Sequence, residues 1–91
     1  MRTLALETDP LAVDVIFSAD VFRVALEDGR ELSIPLAWFP RLLRASSEQR
    51  QNWELIGRGE GVHWAELDED ISVAGLLAGR GDQTRARTRA A

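Results

Sequence analysis

The sequence predicts an α+β fold: a small antiparallel sheet of about four strands, two short helices and a disordered C-terminal tail. Three observations carry that reading. From Val13 to Leu36 apolar and polar side chains alternate, the period of strands with one face on a core. Asp28-Gly29 interrupts the alternation where a hairpin turn belongs. Ser46 followed by Gln49 has the spacing of a helix capping box.

Residues 1–10 show no sustained period and are expected to form a loosely ordered lead. A single domain is then expected over 11–79. In the first strand Val13, Val15 and Phe17 point inward, with Asp14, Ile16 and Ser18 on the other face. The second places Phe22, Val24 and Leu26 inward, and the third Leu32, Ile34 and Leu36. Parity types the turn between them. A two-residue Asp28-Gly29 loop would set Leu26 opposite Glu31, mixing apolar and charged side chains on one face. A three-residue loop, Glu27-Asp28-Gly29, sets Leu26 opposite Arg30, Val24 opposite Leu32 and Phe22 opposite Ile34. It also puts Gly29 where such a turn needs a left-handed residue. By the same parity Phe17 faces Phe22 across a tight Ala19-Asp20 turn. Pro35 has no N–H to give a ladder, so the third strand should be an edge or be bulged there.

Past Pro35 the alternation ends. Pro40 suits the first position of a helical turn over Arg41 to Arg44. The capping box opens a short helix running to about Asn52. Trp53, Leu55 and Ile56 read as a fourth strand, and Val62-His63-Trp64 as an extended segment. Asp68-Glu69-Asp70 precedes a last helix from about Ile71 to Ala78, and acids there are expected to cap it. Gly79 is a natural stop. Residues 80–91 have no apolar period and read as a flexible arginine-rich tail.

Composition narrows the function classes. Apolar residues make up 45% of the chain, an ordinary globular value, so a packed core is expected. Without cysteine there are no disulfides, thiolate metal sites or thiol nucleophiles. No apolar run approaches the roughly 18 residues that span a bilayer, and the N-terminal segment lacks the long apolar stretch of a secretory signal. The cytoplasm is the expected location, with no membrane contact. Residues 1–79 hold seven Arg against fourteen Asp plus Glu, a net −7, while 80–91 carry a net +3, making up the overall −4. An acidic body repels a phosphate backbone, which disfavours nucleic-acid binding by the folded part.

Few residues offer chemistry. Gly57-Arg58-Gly59-Glu60-Gly61 has the glycines of a phosphate loop. It lacks the following Lys-Ser/Thr and helix, and Glu60 would repel phosphate, so a tight turn is expected. His63 with Glu66, Asp68, Glu69 and Asp70 is the one cluster suited to acid–base or metal work, His63, Asp68 and Asp70 being the alternative catalytic set. One imidazole is short of what zinc takes, and the spacing matches no calcium loop. Neither a metal nor another cofactor is expected. Trp38, Trp53 and Trp64 can serve as core bulk or as contact residues. With Pro35 at a strand edge, they are the interaction candidates.

Laid out in order, Asp28-Gly29-Arg30, Pro35-Leu36, Trp38-Phe39-Pro40-Arg41-Leu42, Asn52-Trp53, Gly57 to Gly61, His63-Trp64 and Asp68 to Val73 with Gly75-Leu76-Leu77 resemble a mostly bacterial family, domain of unknown function 2442. The resemblance covers about three quarters of the chain. It implies an α+β fold without established catalysis. Some members look like the smaller partner of toxin–antitoxin-like gene pairs, and others carry an added helix-turn-helix domain. Twelve tail residues are too few for that domain, so an antitoxin-like role here implies protein contact. The resulting expectation is a non-enzymatic regulatory or protein-interaction domain with a protein partner or itself. A small metal-dependent or acid–base enzyme centred on His63 and Asp68-Glu69-Asp70 is the alternative.

Overall fold

Among the described residues six strands form, in two antiparallel sheets of three, where the sequence predicts about four strands in one. The computed structural model describes residues 9–79. The expected lead up to residue 8 and the expected tail at 80–91 lie outside the described residues. Strands β1 (Ala12–Phe17), β2 (Val21–Leu26) and β3 (Glu31–Pro35) make the first sheet, in that spatial order. A 3-10 turn (Leu36–Trp38) and helices α1 (Pro40–Leu43) and α2 (Ser47–Gln51) connect it to the second. That sheet comprises β4 (Glu54–Ile56), β5 (Gly61–Trp64) and β6 (Glu69–Ser72), followed by helix α3 (Val73–Leu77).

The first sheet has the register that side-chain parity demands. Val24 pairs with Leu32, Phe22 with Ile34 and Phe17 with Phe22. Leu26 N–H donates to the Arg30 carbonyl at 2.8 Å, which closes a three-residue loop, and Gly29 takes φ +95° within it. One inward position differs from expectation. The ladder skips Val13, since Ala12 pairs with Leu26 and Asp14 with Ala25. This bulge turns Val13 outward, 53% exposed, and seats Ala12 in the core in its place. Pro35 ends the edge strand β3, where its missing N–H breaks no interior ladder.

The chain after Ala65 departs further from expectation. Glu69 to Ser72 is a strand, because Ile71 pairs with Val62 and Glu69 with Trp64 across β5. The last helix therefore starts at Val73, two residues later than expected. Ser72 caps it, its Oγ accepting from the Gly75 N–H at 2.9 Å, so neither Asp68 nor Asp70 has that role. Asp68 instead occupies the left-handed region (φ +54°) in the β5–β6 turn, a conformation that Asp tolerates better than most residues. The α2 capping box forms as expected, Ser46 Oγ accepting from Gln49 N–H and Gln49 Oε1 from Ser46 N–H.

A continuous core draws on both sheets: Val15, Phe22, Val24 and Ile34 from the first, Val62, Trp64 and Ile71 from the second, with Leu42 and Leu76 from the helices. The sheets are also joined backbone to backbone. Ala12 N–H donates to the Gly59 carbonyl at 2.8 Å, and within the second half of the chain Val73 N–H ties α3 to the Glu60 carbonyl at 2.9 Å. Gly59 combines φ +122° with a contact so close that a Cβ there would lie 2.4 Å from the Ala12 carbonyl oxygen.

These contacts set the cost of single substitutions. Gly29→Ala, strained in backbone but in open space, should cost about 1–2 kcal/mol in chemical denaturation. Gly59→Ala, which also meets β1, should cost more and reach the global stability of the domain. Ser72→Ala should lose about 0.5–2 kcal/mol, the cost of a cap, whereas Asp68→Ala should lose no capping contribution.

Candidate functional site

The three tryptophans and Pro35 fall into different environments. Trp64 on β5 is fully buried, and its indole N–H donates to the Arg50 carbonyl at 3.0 Å. It meets Phe17 edge to face with centroids 6.4 Å apart. As a core residue it offers no contact surface, which corrects its place among the interaction candidates. Trp53, just before β4, is half-buried and packs against the core. Trp38 is 37% exposed and lies outside the core cluster. Pro35 is exposed as well. These two bracket the 3-10 turn, which buried Leu36 anchors through its N–H to the Asp20 carbonyl at 2.9 Å.

The acidic segment is divided among separate partners. Glu66 accepts from Gln49 Nε2 at 3.1 Å on α2. Arg41 on α1 reaches across to donate to the Asp68 carbonyl at 2.8 Å and lies 3.7 Å from the buried carboxylate of Glu69. Asp70 hydrogen-bonds to His63, Oδ1 to Nδ1, across β5 and β6. Of the alternative catalytic set, the fold thus joins His63 to Asp70 and commits the Asp68 main chain to a turn. Among the described residues, no group of three or more His, Asp or Glu is arranged to hold a metal ion. An imidazole held by a carboxylate can move protons. Here the ring stands on an open sheet face with 35% of its side chain exposed. Among the described residues no hydroxyl is hydrogen-bonded to it.

The glycine loop is a tight turn whose three central amides are satisfied internally. Gly59 and Glu60 N–H both donate to the Ile56 carbonyl, and Arg58 N–H donates to Glu60 Oε1 at 2.9 Å. Those bonds to Glu60 hold its carboxyl below its ordinary range, Arg58 N–H first and its own N–H second. The side chain that would repel a phosphate takes the donor a phosphate would need. Beside this turn lies an open cleft of about 610 Å³, with Leu11, Glu27, Arg58, Glu60 and the start of α3 on its walls. None of the tryptophans, Pro35 or His63 lines it.

Sequence reasoning passes over Arg50, which ties several elements together. Its guanidinium donates to the Leu42 and Leu43 carbonyls at 2.9 Å each, satisfying the end of α1, and lies 5.8 Å from the Phe17 ring centre. Its own carbonyl accepts from Trp64. No spacing in the sequence announces this, because the partners are distant in the chain or reached through irregular backbone.

Residues 12–82 match the family described as protein of unknown function (DUF2442). The chain belongs to that family. A DUF2442 assignment agrees with the solved structures it resembles. One is a protein of unknown function from Rhodospirillum rubrum, with 32% identity and a TM-score of 0.71 over 82% of this chain and 93% of that one. Another is an uncharacterised protein from Chromobacterium violaceum, with 28% identity and a TM-score of 0.74 over 92% of this chain and 78% of that one. No curated protein matches. Among the described residues no helix is long and apolar enough to cross a membrane.

The His63–Asp70 pair has a pH signature of definite sign. The Asp70 hydrogen bond raises the His63 pKa above its ordinary 6.5 against the opposing effect of desolvation, with further help from the charges of Asp70, Glu54 and Asp68. A raised folded-state pKa contributes stability that is complete below the unfolded value and is lost as pH rises through the folded one. Thermal melts between about pH 6 and pH 9 should show a small decline for the native chain. That decline should be absent in His63→Gln and reduced in Asp70→Asn.

Proposed function

We propose that this DUF2442 chain is a non-enzymatic regulatory domain that acts by protein contact, with Trp38 and neighbouring Pro35 at the end of β3 as its contact surface. The exposure of Trp38 carries this reading. Among the described residues six large apolar side chains stand exposed, and Trp38 is the one aromatic ring among them. Tryptophan in such a position is a frequent hot spot, because it supplies a large rigid area at little conformational cost. The acidic charge of residues 1–79 supports a protein partner, or a second copy, over nucleic acid. An antitoxin-like pairing is one form this contact can take, given the family resemblance.

Trp38→Ala separates this role from folding. Its thermal midpoint should stay within a few degrees of the native value, since the side chain lies outside the core cluster. Sedimentation over a concentration series reads self-association, and quantitative capture from the native cell reads a partner. Whichever association the native chain shows should weaken about thirtyfold in Trp38→Ala, the scale of a hot spot of about 2 kcal/mol. A native chain that stays monomeric and captures nothing, or an unchanged affinity in the variant, would sink the proposal.

A further inference from the structure

The outward face of the second sheet carries a row that crosses all three of its strands. Glu54 on β4 is the Cα partner of His63 on β5, and His63 is the Cα partner of Asp70 on β6. Directly opposed residues in an antiparallel pair hold their Cβ atoms about 4.5–5.5 Å apart. His63 therefore has an acidic residue opposite it on each neighbouring strand: Asp70 is bonded to the ring, while Glu54 and Asp68 of the β5–β6 turn act on it through their charge. Those three acids are the charged groups that act on it among the described residues.

The two flanking strands differ in how firmly they are held. Buried Ile71 and Glu69 anchor β6 in the core. At the sheet edge, β4 has three residues, all exposed, with Leu55 at 38% and Ile56 at 40%. Past Trp53, which packs on the core just ahead of it, a strand this short has little besides its ladder and its cross-strand pairs to keep it in place. We propose that His63 is a proton-operated clasp on β4: its imidazolium, fixed at Asp70, attracts Glu54 and keeps the edge strand paired, and loss of the proton releases Glu54. The release is selective. A neutral ring can still donate from Nδ1 to Asp70, so β6 keeps a weaker hydrogen bond together with its buried anchors, whereas the attraction on Glu54 needs the charge and β4 itself is exposed throughout. Opening of β4 would uncover the edge of β5, a surface that other backbone can pair with.

Amide hydrogen exchange by NMR on the full chain tests this, with rates corrected for intrinsic pH dependence and the His63 ring titration followed in the same samples. Protection of the β4–β5 ladder should fall up to about fivefold as His63 loses its proton, the range of an opposite-charge cross-strand pair. Protection of the β1–β2 ladder should not change, and that of β5–β6, whose strand β6 is held by buried Ile71 and Glu69, should fall less than that of β4–β5. In His63→Gln and Glu54→Gln the β4–β5 step should disappear. Glu54→Gln, an exposed edge substitution, keeps the test available should His63→Gln fail to fold. A flat β4–β5 profile through the native His63 titration would overturn the proposal, as would a step that persists in Glu54→Gln or one shared equally by β5–β6.

Discussion

Trp64 has to be enclosed on all sides and still satisfy its indole N–H, and much of the domain is arranged around that requirement. An unpaired donor at a buried site costs about 1–3 kcal/mol, so the Arg50 carbonyl must be brought to it. That fixes α2 against β5. The Arg50 side chain then reaches back to the α1 carbonyls and lies beside the Phe17 ring, which itself meets Trp64 edge to face. One buried ring thus couples the second sheet, both central helices and the first hairpin. For a chain with no disulfide to brace it, this closed circuit of packing and hydrogen bonds substitutes for a covalent staple.

The second constraint is backbone proximity. A glycine turn lets β1 approach the β4–β5 connection closely enough for Ala12 and Gly59 to bond, and Glu60 accepts from the first residue of α3. The bulge at Val13 belongs to the same junction, because it brings Ala12 rather than a bulkier Val to the buried position. At Gly61 a Cβ would come within 2.7 Å of the Ile71 carbonyl oxygen, so β5 and β6 also depend on a missing side chain. These glycines serve packing. The amides of Arg58, Gly59 and Glu60 at the centre of the loop are occupied, which removes three donors an anion would need.

Against this rigid frame, the residues with functional potential lie at the margins. Trp38 and Pro35 flank a turn that buried Leu36 pins in place, so the surface they form is held without further ordering on contact. The row from Glu54 through His63 to Asp70 lies on an open sheet face away from the cleft, and its chemistry is that of an exposed charge ladder. Neither feature is enclosed, and both stand at the surface of the domain.

The first sheet was legible in the sequence. Its alternation, the Asp28-Gly29 turn and Pro35 specify three strands, one edge and the register apart from the bulge at Val13, because neighbouring strands joined by short turns carry their pairing information locally. The α2 capping box was legible for the same reason. The strand at Glu69 to Ser72 was not, although Glu69 and Ile71 do alternate with Asp70 and Ser72. Acids before an apolar segment favour a helix start locally, and only pairing with Val62 and Trp64 on β5 decides otherwise. Division into two sheets, burial of Trp64 over Trp38, and the placing of Glu54 beside His63 likewise belong to tertiary structure. Each depends on segments that meet through packing, and no spacing along the chain encodes which of them will be neighbours.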